Sequence, residues 1–527
     1  MPVAQGTLTP ERSALWQQRV HYQYVSVIET NLRTTSPLSI STGDADASGD
    51  QPLLRNVAGQ PYIPATSFVG ALRHELSLQL QQLFAGKTRE LTVHNQALVR
   101  LFGVSIGTPE NDDQPMGQLW FDDLELIDKE PLTERRDHVR IDQKTGTAAD
   151  QAKFDRELLA VDSRFGLRVE WRTKQAPLAV CAEDRTVLLL MLAILEGSDT
   201  QPNSKQRAPQ LALGGRTRRG MGQILIDGAD SGHRISWRSF DLRSPQGLCN
   251  WMLTGSERGT PSHRSSHDLA ATLAHKAVSL TDHHALQVRL DLCLRGSMLV
   301  RGAGRMDARG KERADASHLR RAAQGKPEQE AIIPASSMVG VLRHRAEAIL
   351  RTLTQQPDSQ TVVEELFGSV HDTKESHKAG SLHLQESLVR ESSELRHTRV
   401  CIDPWTGGAL DSALFTEDAL YGGRFTLELS LRKVGKESPS EAAMGLLLLT
   451  LRDLWEGDLP IGGESSVGRG FVLGVGGQLS YGGKSEPLTF DAAGRLTASA
   501  HLESIRGWVQ KLNERVQPNQ NGKERAP

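Results

Sequence analysis

The twelve residues Ile63-Pro64-Ala65-Thr66-Ser67-Phe68-Val69-Gly70-Ala71-Leu72-Arg73-His74 return 270 positions later as Ile333-Pro334-Ala335-Ser336-Ser337-Met338-Val339-Gly340-Val341-Leu342-Arg343-His344. A repeat on this scale constrains the fold more than any single motif, because each copy has to build a core from its own share of the chain. Further matches keep the same order. Leu101-Phe102-Gly103 is answered by Leu366-Phe367-Gly368, and His138, Arg140 and Ile141-Asp142 before Thr145-Gly146 by His397, Arg399 and Ile402-Asp403 before Thr406-Gly407. Leu213-Gly214-Gly215 with Gly220-Met221-Gly222 is answered by Ile461-Gly462-Gly463 with Gly468-Arg469-Gly470. The offset shrinks from 270 to 248 along the chain, as expected of two divergent copies whose loops differ in length.

Copy one is placed at 20–230 and copy two at 285–482. The segment between them, 231–284, is rich in Ser, His and Gly and reads as a connector with one helical stretch, Leu269 to Val278. Residues 483–527 read as a C-terminal helix followed by a tail, from Gln517, with the composition of a disordered segment. The 527 residues carry 62 Lys and Arg against 64 Asp and Glu, so net charge argues for no particular partner and any nucleic-acid site has to come from local clustering. The longest apolar run, Val187 to Leu195, is far short of a membrane span, and the N-terminal composition leads us to expect no signal peptide. Four widely separated cysteines argue against a disulfide scaffold and a structural zinc site, and a cytoplasmic location is the expectation.

Each copy reads as β-α-β-β-α-β. Alternating first strands (Val25 to Leu32, Leu286 to Leu294) lead through a loop into the Ile-Pro motif, where Thr66 or Ser67, and Ser336 or Ser337, are expected to cap a helix. Phe68, Leu72, Leu76, Leu80 and Leu83, mirrored by Met338, Leu342, Ala346, Leu350 and Leu353, form one buried stripe at helical spacing. Strand-like segments (Gly117 to Leu124, Phe165 to Trp171, Arg424 to Leu431) and a second apolar helix (Thr186 to Leu195, Ala443 to Leu454) follow. A Gly-rich turn then enters a last strand, Gln223 to Ile226 and Phe471 to Gly474. The fold class is therefore α+β: two tandem ferredoxin-like, or RRM-like, domains with an inserted hairpin.

Three features carry chemistry. The turn from Leu213 to Gly222 sets Arg216, Arg218 and Arg219 among four glycines, and Ser204 to Ile226 holds five positive side chains and no acid. Glycines let a backbone approach a phosphate while Arg pairs with its oxygens; the competing reading is a solvated turn. Copy two weakens the basic character, keeping Arg469 but placing Glu464, Ser465, Ser466 and Val467 in the turn. Neither turn fits a nucleotide-cofactor motif. Second, Asp50 precedes Arg55, and Asp315 precedes Arg320, by five residues in loops ahead of the Ile-Pro motif; Arg295 to Lys326 carries nine Lys and Arg against three acids. A carboxylate in such a basic surface can deprotonate a ribose 2′-hydroxyl or hold a divalent ion; the competing reading is a loop Asp making an Asx-turn. Third, Asp142 and Asp403 sit in Ile-Asp-x-x-Thr-Gly turns, where a structural role is favoured, while His138 and His397 read either as RNA contacts or as surface histidines. No Ser-His-Asp or Cys-His arrangement recurs, so acyl transfer finds no support.

Taken together, the Ile-Pro-x-[Ser/Thr]-Ser-x-x-Gly-x-Leu-Arg motif, the Leu-Phe-Gly element, the Ile-Asp-x-x-Thr-Gly segment and the Gly-Gly…Gly-x-Gly turn, each present twice, resemble the CRISPR-associated RAMP superfamily. Within it they are similar to the backbone subunit of type III effector complexes, here as two subunits fused in tandem, in the manner of type III-D systems. The resemblance implies a thumb hairpin in each copy, at about Asp142 to Phe165 and Asp403 to Arg424, that displaces one nucleotide of a guide–target duplex. It implies a CRISPR RNA, a complementary target RNA and further type III subunits, including a large polymerase-like one, as partners. It carries target cleavage onto Asp50 and Asp315 with a divalent ion, Mg or Mn. Copy one keeps the family's Asp-x-Pro (Asp50-Gln51-Pro52) where copy two reads Asp315-Ala316-Ser317. RNA contacts are expected at Arg55, Ser67, Arg73, His138, Arg140, Gly214, Gly215, Arg216, Arg218 and Arg219, and at Arg320, Ser337, Arg343, His397, Arg399, Gly462, Gly463 and Arg469. Only 25 aromatic residues in 527 suit a protein that grips backbone and leaves sequence reading to base pairing. Two functions follow: an endoribonuclease subunit of a guide-RNA complex, or a non-catalytic RNA scaffold of the same shape.

Overall fold

The computed structural model describes residues 22–516 apart from 44–49, 104–115, 143–144, 146, 200–206, 229–233, 255–258, 260–262, 282–283, 303–313, 355–359, 370–377, 434–437, 492–493 and 499–501. Gly146, the basic residues Arg305, Arg309, Lys311 and Arg313, and the tail from Gln517 thus lie outside the described residues.

In copy one, β1 (Tyr24–Thr34) is followed by α1 (Ala65–Leu83), α2 (Thr88–Phe102), β2 (Leu119–Phe121), the paired strands β3 (Thr133–Ile141) and β4 (Ala148–Leu159), β5 (Arg164–Thr173), α3 (Ala182–Glu196) and β6 (Gln223–Ile226). The sheet runs β6-β1-β5-β2, all antiparallel. Alternation puts Leu167, Val169 and Trp171 of β5 toward the helices, where they meet Phe68, Leu72, Leu76 and Leu80 and the apolar run Val187 to Leu195 in one core. Leu83 packs at its edge.

Copy two repeats the plan. Here β8 (His284–Leu294), α6 (Ala335–Leu353), α7 (Gln360–Phe367), β9 (Leu382–Leu384), β10 (Ser393–Ile402), β11 (Ala409–Tyr421), β12 (Arg424–Arg432), α8 (Glu441–Trp455) and β13 (Val472–Tyr481) give the sheet order β13-β8-β12-β9. A second, separate core gathers Met338, Leu342, Ala346 and Leu350 with alternate residues of β8 and β12.

The segment read as a connector belongs partly to the sheet. Its strand β7 (Ser236–Asp241) pairs with the first half of β1, while β6 pairs with the second half; together they are one last strand, interrupted between Ile226 and Ser236, that copy two makes unbroken as β13. Helix α4 (Pro245–Thr254) then covers the outer face of β1, where Trp251 packs on Val25, Val27 and Phe240, and α5 (Ser266–Thr272) caps the core. Copy two likewise runs past 482: β14 (Lys484–Phe490) and β15 (Leu496–Ala498) extend its sheet, and α9 (Leu502–Val516) lays Trp508, Leu512 and Val516 on α8.

Two local expectations are corrected. Helix α1 starts at Ala65 behind Pro64, not at Thr66 or Ser67; Asp123 Oδ1 accepts the Ala65 N–H at 2.7 Å and does the capping, leaving Thr66 and Ser67 exposed in the first turn. In copy two Pro334 precedes the helix in the same way, with no side-chain cap from Ser336 or Ser337. The thumbs are longer than 142–165 and 403–424, since β3–β4 and β10–β11 open at Thr133 and Ser393, and the Ile-Asp-x-x-Thr-Gly segments are their tips. There Asp142 Oδ1 accepts from the Thr145 N–H at 2.9 Å, and Asp403 Oδ2 from the Thr406 hydroxyl at 2.7 Å, which is the turn chemistry read for them. Among the described residues no helix is long and apolar enough to cross a membrane.

The copies dock head to tail. Arg136 of β3, itself buried, reaches across to Glu386 of copy two at 2.5 Å, and Arg321 pairs with the same Glu386 at 3.2 Å. The Ala322 N–H donates to Glu134 at 2.9 Å and the Gln324 N–H to the Val161 carbonyl at 2.7 Å.

Candidate nucleic-acid interface and cleavage loops

The aspartate loops do not face the helix; they run alongside the second thumb strand. In copy one the Asp50 N–H donates to Asp155 Oδ1 at 2.8 Å and the Asp155 N–H returns a bond to Asp50 Oδ2 at 2.9 Å. The next residues continue the docking: the Glu157 N–H donates to the Gln51 carbonyl at 3.1 Å, and the Leu53 N–H to Glu157 Oε2 at 2.9 Å. In copy two the Asp315 N–H donates to the Thr416 carbonyl at 2.8 Å and the Thr416 N–H to Asp315 Oδ2 at 2.6 Å, with Ala316 and Ser317 pairing in parallel with β11. Both aspartates are exposed. Arg55 and Arg320, expected on RNA, are engaged inside the protein: Arg55 with Glu157 at 2.5 Å, Arg320 with Glu394 at 3.3 Å.

The two Gly-rich turns have one backbone. Arg216 and Glu464 both sit in the left-handed region (φ 59° and 62°), a single 3-10 turn follows, and Gly220 and Gly468 close it at φ 72° and 88°. The glycines are required by close approach within the chain. A Cβ on Gly214 would lie 2.2 Å from the Ser39 carbonyl oxygen, and one on Gly462 2.6 Å from that of Leu299. The N–H groups of Gly215 and Gly463 donate to those same two carbonyls at 2.9 and 2.8 Å. These two amides are therefore spent on the fold, and what distinguishes the two turns is their side chains.

Those side chains differ in kind between the copies. In copy one Arg216, Arg218 and Arg219 have no carboxylate partner among the described residues. Arg216 lies over the Phe154 ring at 5.1 Å, His138 stacks on the same ring at 5.2 Å, and buried Arg156 reaches the Ser39 hydroxyl at 3.0 Å. Burial, then Arg219 and Arg156, push the Arg216 guanidinium down to about 10; burial, then Arg216 and Arg156, push the His138 imidazole down to about 4, so it is neutral at pH 7. This is a concentration of positive charge that the protein itself leaves uncompensated.

Copy two compensates it. By thumb register Arg156 corresponds to Glu417, and by turn geometry Arg216 corresponds to Glu464. These two glutamates pair with Arg301 (3.5 and 3.2 Å), with Arg399, and with buried Arg469 (3.0 and 2.8 Å). Burial pushes the Glu464 carboxyl up, but Arg399 and Arg469 outweigh it and hold it below the usual carboxylate range. His397 meets Arg469 at 3.3 Å. Counting back from the tips at Asp142 and Asp403, the position of His138 is taken by Arg399 and that of Arg136 by His397, so the two histidines are not equivalent as the motif order suggested. Sequence reasoning missed Phe154, Asp155, Arg156 and Glu417; all four stand in the second thumb strands, where Arg156 and Glu417 take the same position, a signal that only the register exposes.

On α1 and α6, Arg73 carries a guanidinium lowered by burial, whereas Arg343 pairs with Glu347 at 3.0 Å and stands close enough to Arg219 to lower it. Ser337 is half-buried in its first turn and Arg140 is exposed on the thumb. Arg216, Arg218 and Arg219 line a cleft of about 1320 Å³ between the copies, together with His74, Arg289, Lys378 and Arg432. Around the aspartate loops, Asp50 has Asp155 beside it, and Asp315 has Thr416 in that place. The described residues gather no group of three or more His, Cys, Asp or Glu side chains able to hold a metal ion.

No curated protein matches the chain. The family model of the RAMP superfamily matches it twice, over residues 31–224 and 295–472, one region per copy and most of the chain in all. With two sheets of the same order, and with two thumbs and two Gly-rich turns inside the matched regions, the chain belongs to the RAMP superfamily as two RAMP domains in tandem, and so to the CRISPR-associated RNA-binding proteins.

Proposed function

We propose that this protein is a guide-RNA-binding backbone subunit of a type III CRISPR interference complex that cuts complementary RNA at two sites, through Asp50 in the first domain and Asp315 in the second. The observation that carries this reading is that both aspartates, exposed and 265 positions apart, are held in one arrangement, each accepting an N–H from the second strand of its own thumb. A residue so placed lies where a thumb would turn a nucleotide out of the duplex. The carboxylate takes the proton of a ribose 2′-hydroxyl, the oxygen attacks the adjacent phosphorus, and the P–O5′ bond breaks as the leaving oxygen takes a proton from water, giving a 2′,3′-cyclic phosphate and a 5′-hydroxyl; the carboxylic acid then returns its proton to solvent. No step is routed through a metal ion. The guide, in this reading, is gripped by the uncompensated arginines of copy one, with a large polymerase-like subunit among the neighbouring proteins. The test is cleavage of a guide-matched RNA by the assembled complex. Asp50→Ala is expected to abolish one cut and Asp315→Ala the other, each leaving target binding unchanged. Both cuts surviving in the double variant would leave only the scaffold reading.

A further inference from the structure

The two aspartate loops are anchored by different chemistry. In copy two the N–H of Asp315 is held by a peptide carbonyl, that of Thr416, which no side-chain change removes. In copy one the equivalent N–H, that of Asp50, is held by a side chain, Asp155 Oδ1 at 2.8 Å. The other oxygen of that carboxylate, Oδ2, is 3.3 Å from Arg135 Nε, so the carboxylate is oriented from behind. The loop next to it is secured independently, by Glu157 on Leu53, Gln51 and Arg55.

We propose that Asp155 is a positioning residue for the first cleavage site: its carboxylate fixes the Asp50 end of the loop on the thumb, and with it the reach of the Asp50 carboxylate toward the displaced nucleotide. The inference rests on the reading that Asp50 carries the first cut. Removing the Asp155 carboxylate frees the Asp50 N–H alone: the main-chain N–H of residue 155 still reaches Asp50 Oδ2, and Glu157 still holds the residues that follow. A catalytic group displaced by about 1 Å costs on the order of 10²-fold in rate while substrate binding, made elsewhere, is untouched. The second site has no such dependence, and it serves as the control within one molecule.

The experiment uses the assembled complex with its guide and a labelled complementary RNA, following the two cuts separately under single-turnover conditions. Asp155→Ala is expected to slow the first cut by about 10²-fold, with target affinity and the second cut unchanged. Asp155→Asn keeps an Oδ1 that accepts the Asp50 N–H, and it is expected to restore the first cut to within a few-fold of the parent rate. An Asn variant as slow as the Ala variant overturns the inference, since position would then not be what the carboxylate supplies. A first cut at full rate in Asp155→Ala, while Asp50→Ala abolishes it, overturns the inference and leaves the cleavage reading standing. A first cut that survives Asp50→Ala removes the cleavage reading itself.

Discussion

At the scale of single residues, the buried bases are as informative as the acids. His138 in copy one and His318 in copy two are both pushed from 6.5 down to about 4, first by burial in each case, with Arg216 and Arg156 adding to it at His138 and Arg320 at His318. His318 is held between the Val300 N–H and the Ile332 carbonyl. A folded-state pKa below the unfolded one means that the unfolded chain takes up protons the folded chain refuses. The stability these residues contribute is therefore complete above about pH 6.5 and is lost as the pH falls toward 4. Thermal midpoints measured from pH 7 down to 4 are expected to fall across that window, and to fall less steeply in His138→Gln. In the proposed reading, guide phosphate among Arg216, Arg156 and Arg219 offsets part of the charge that, after burial, depresses His138, so binding is expected to take up a proton and to tighten as the pH falls. A nuclear magnetic resonance titration of the His138 ring with and without RNA reads this directly; an unmoved pKa would place the phosphate elsewhere.

At the scale of elements, one turn geometry serves two electrostatic designs, and they fail differently. Replacing Arg216, Arg218 and Arg219 by Ala is expected to leave stability within about 0.5 kcal/mol, because the turn lacks carboxylate partners among the described residues. The same change should reduce the slope of log affinity against log salt by about 2–3. Arg469→Ala is expected to do the opposite, costing about 3 kcal/mol by leaving buried Glu417 short of a partner while RNA retention changes little. Denaturant melts and salt titrations of the two variants check the pair. Most elements were legible, because Phe68 to Leu80 and Met338 to Leu350 print helical spacing and the copies corroborate each other. Helices α2 and α7 were passed over although Leu91, Leu98 and Leu101 carry the same spacing, and the thumb strands begin before their motif because β3 and β10 are exposed hairpin strands with little alternation to read. The exchange of Arg156 and Arg216 for Glu417 and Glu464 was illegible for a different reason. Its two halves lie 60 positions apart in copy one and 47 in copy two, and become one change only when the thumb folds back on the turn.

At the scale of the whole molecule, the joint between the copies is built from buried charge. Arg136 is 4% exposed and its partner Glu386 belongs to the other copy, so Glu386→Ala strands a buried guanidinium with Glu134 alone. That is expected to cost about 3 kcal/mol and to split thermal unfolding into two calorimetric transitions, one per copy. A single unshifted transition would mean that Arg136 is satisfied without it. The same joint covers the turn of copy one, where a Cβ on Gly220 would come within 2.8 Å of the Leu384 carbonyl oxygen, whereas one on the corresponding Gly468 would meet none of the described residues within 4 Å. One end of the repeat is thus covered by the other copy, and that covered end is tethered. A tethered contact forms at an effective concentration fixed by its linker, whereas a contact to another chain depends on how much of that chain is present. Dilution will accordingly open any outer contact made at Gly468 long before the inner one at Gly220, so the spacing between Asp50 and Asp315 is a constant of the polypeptide rather than of its assembly.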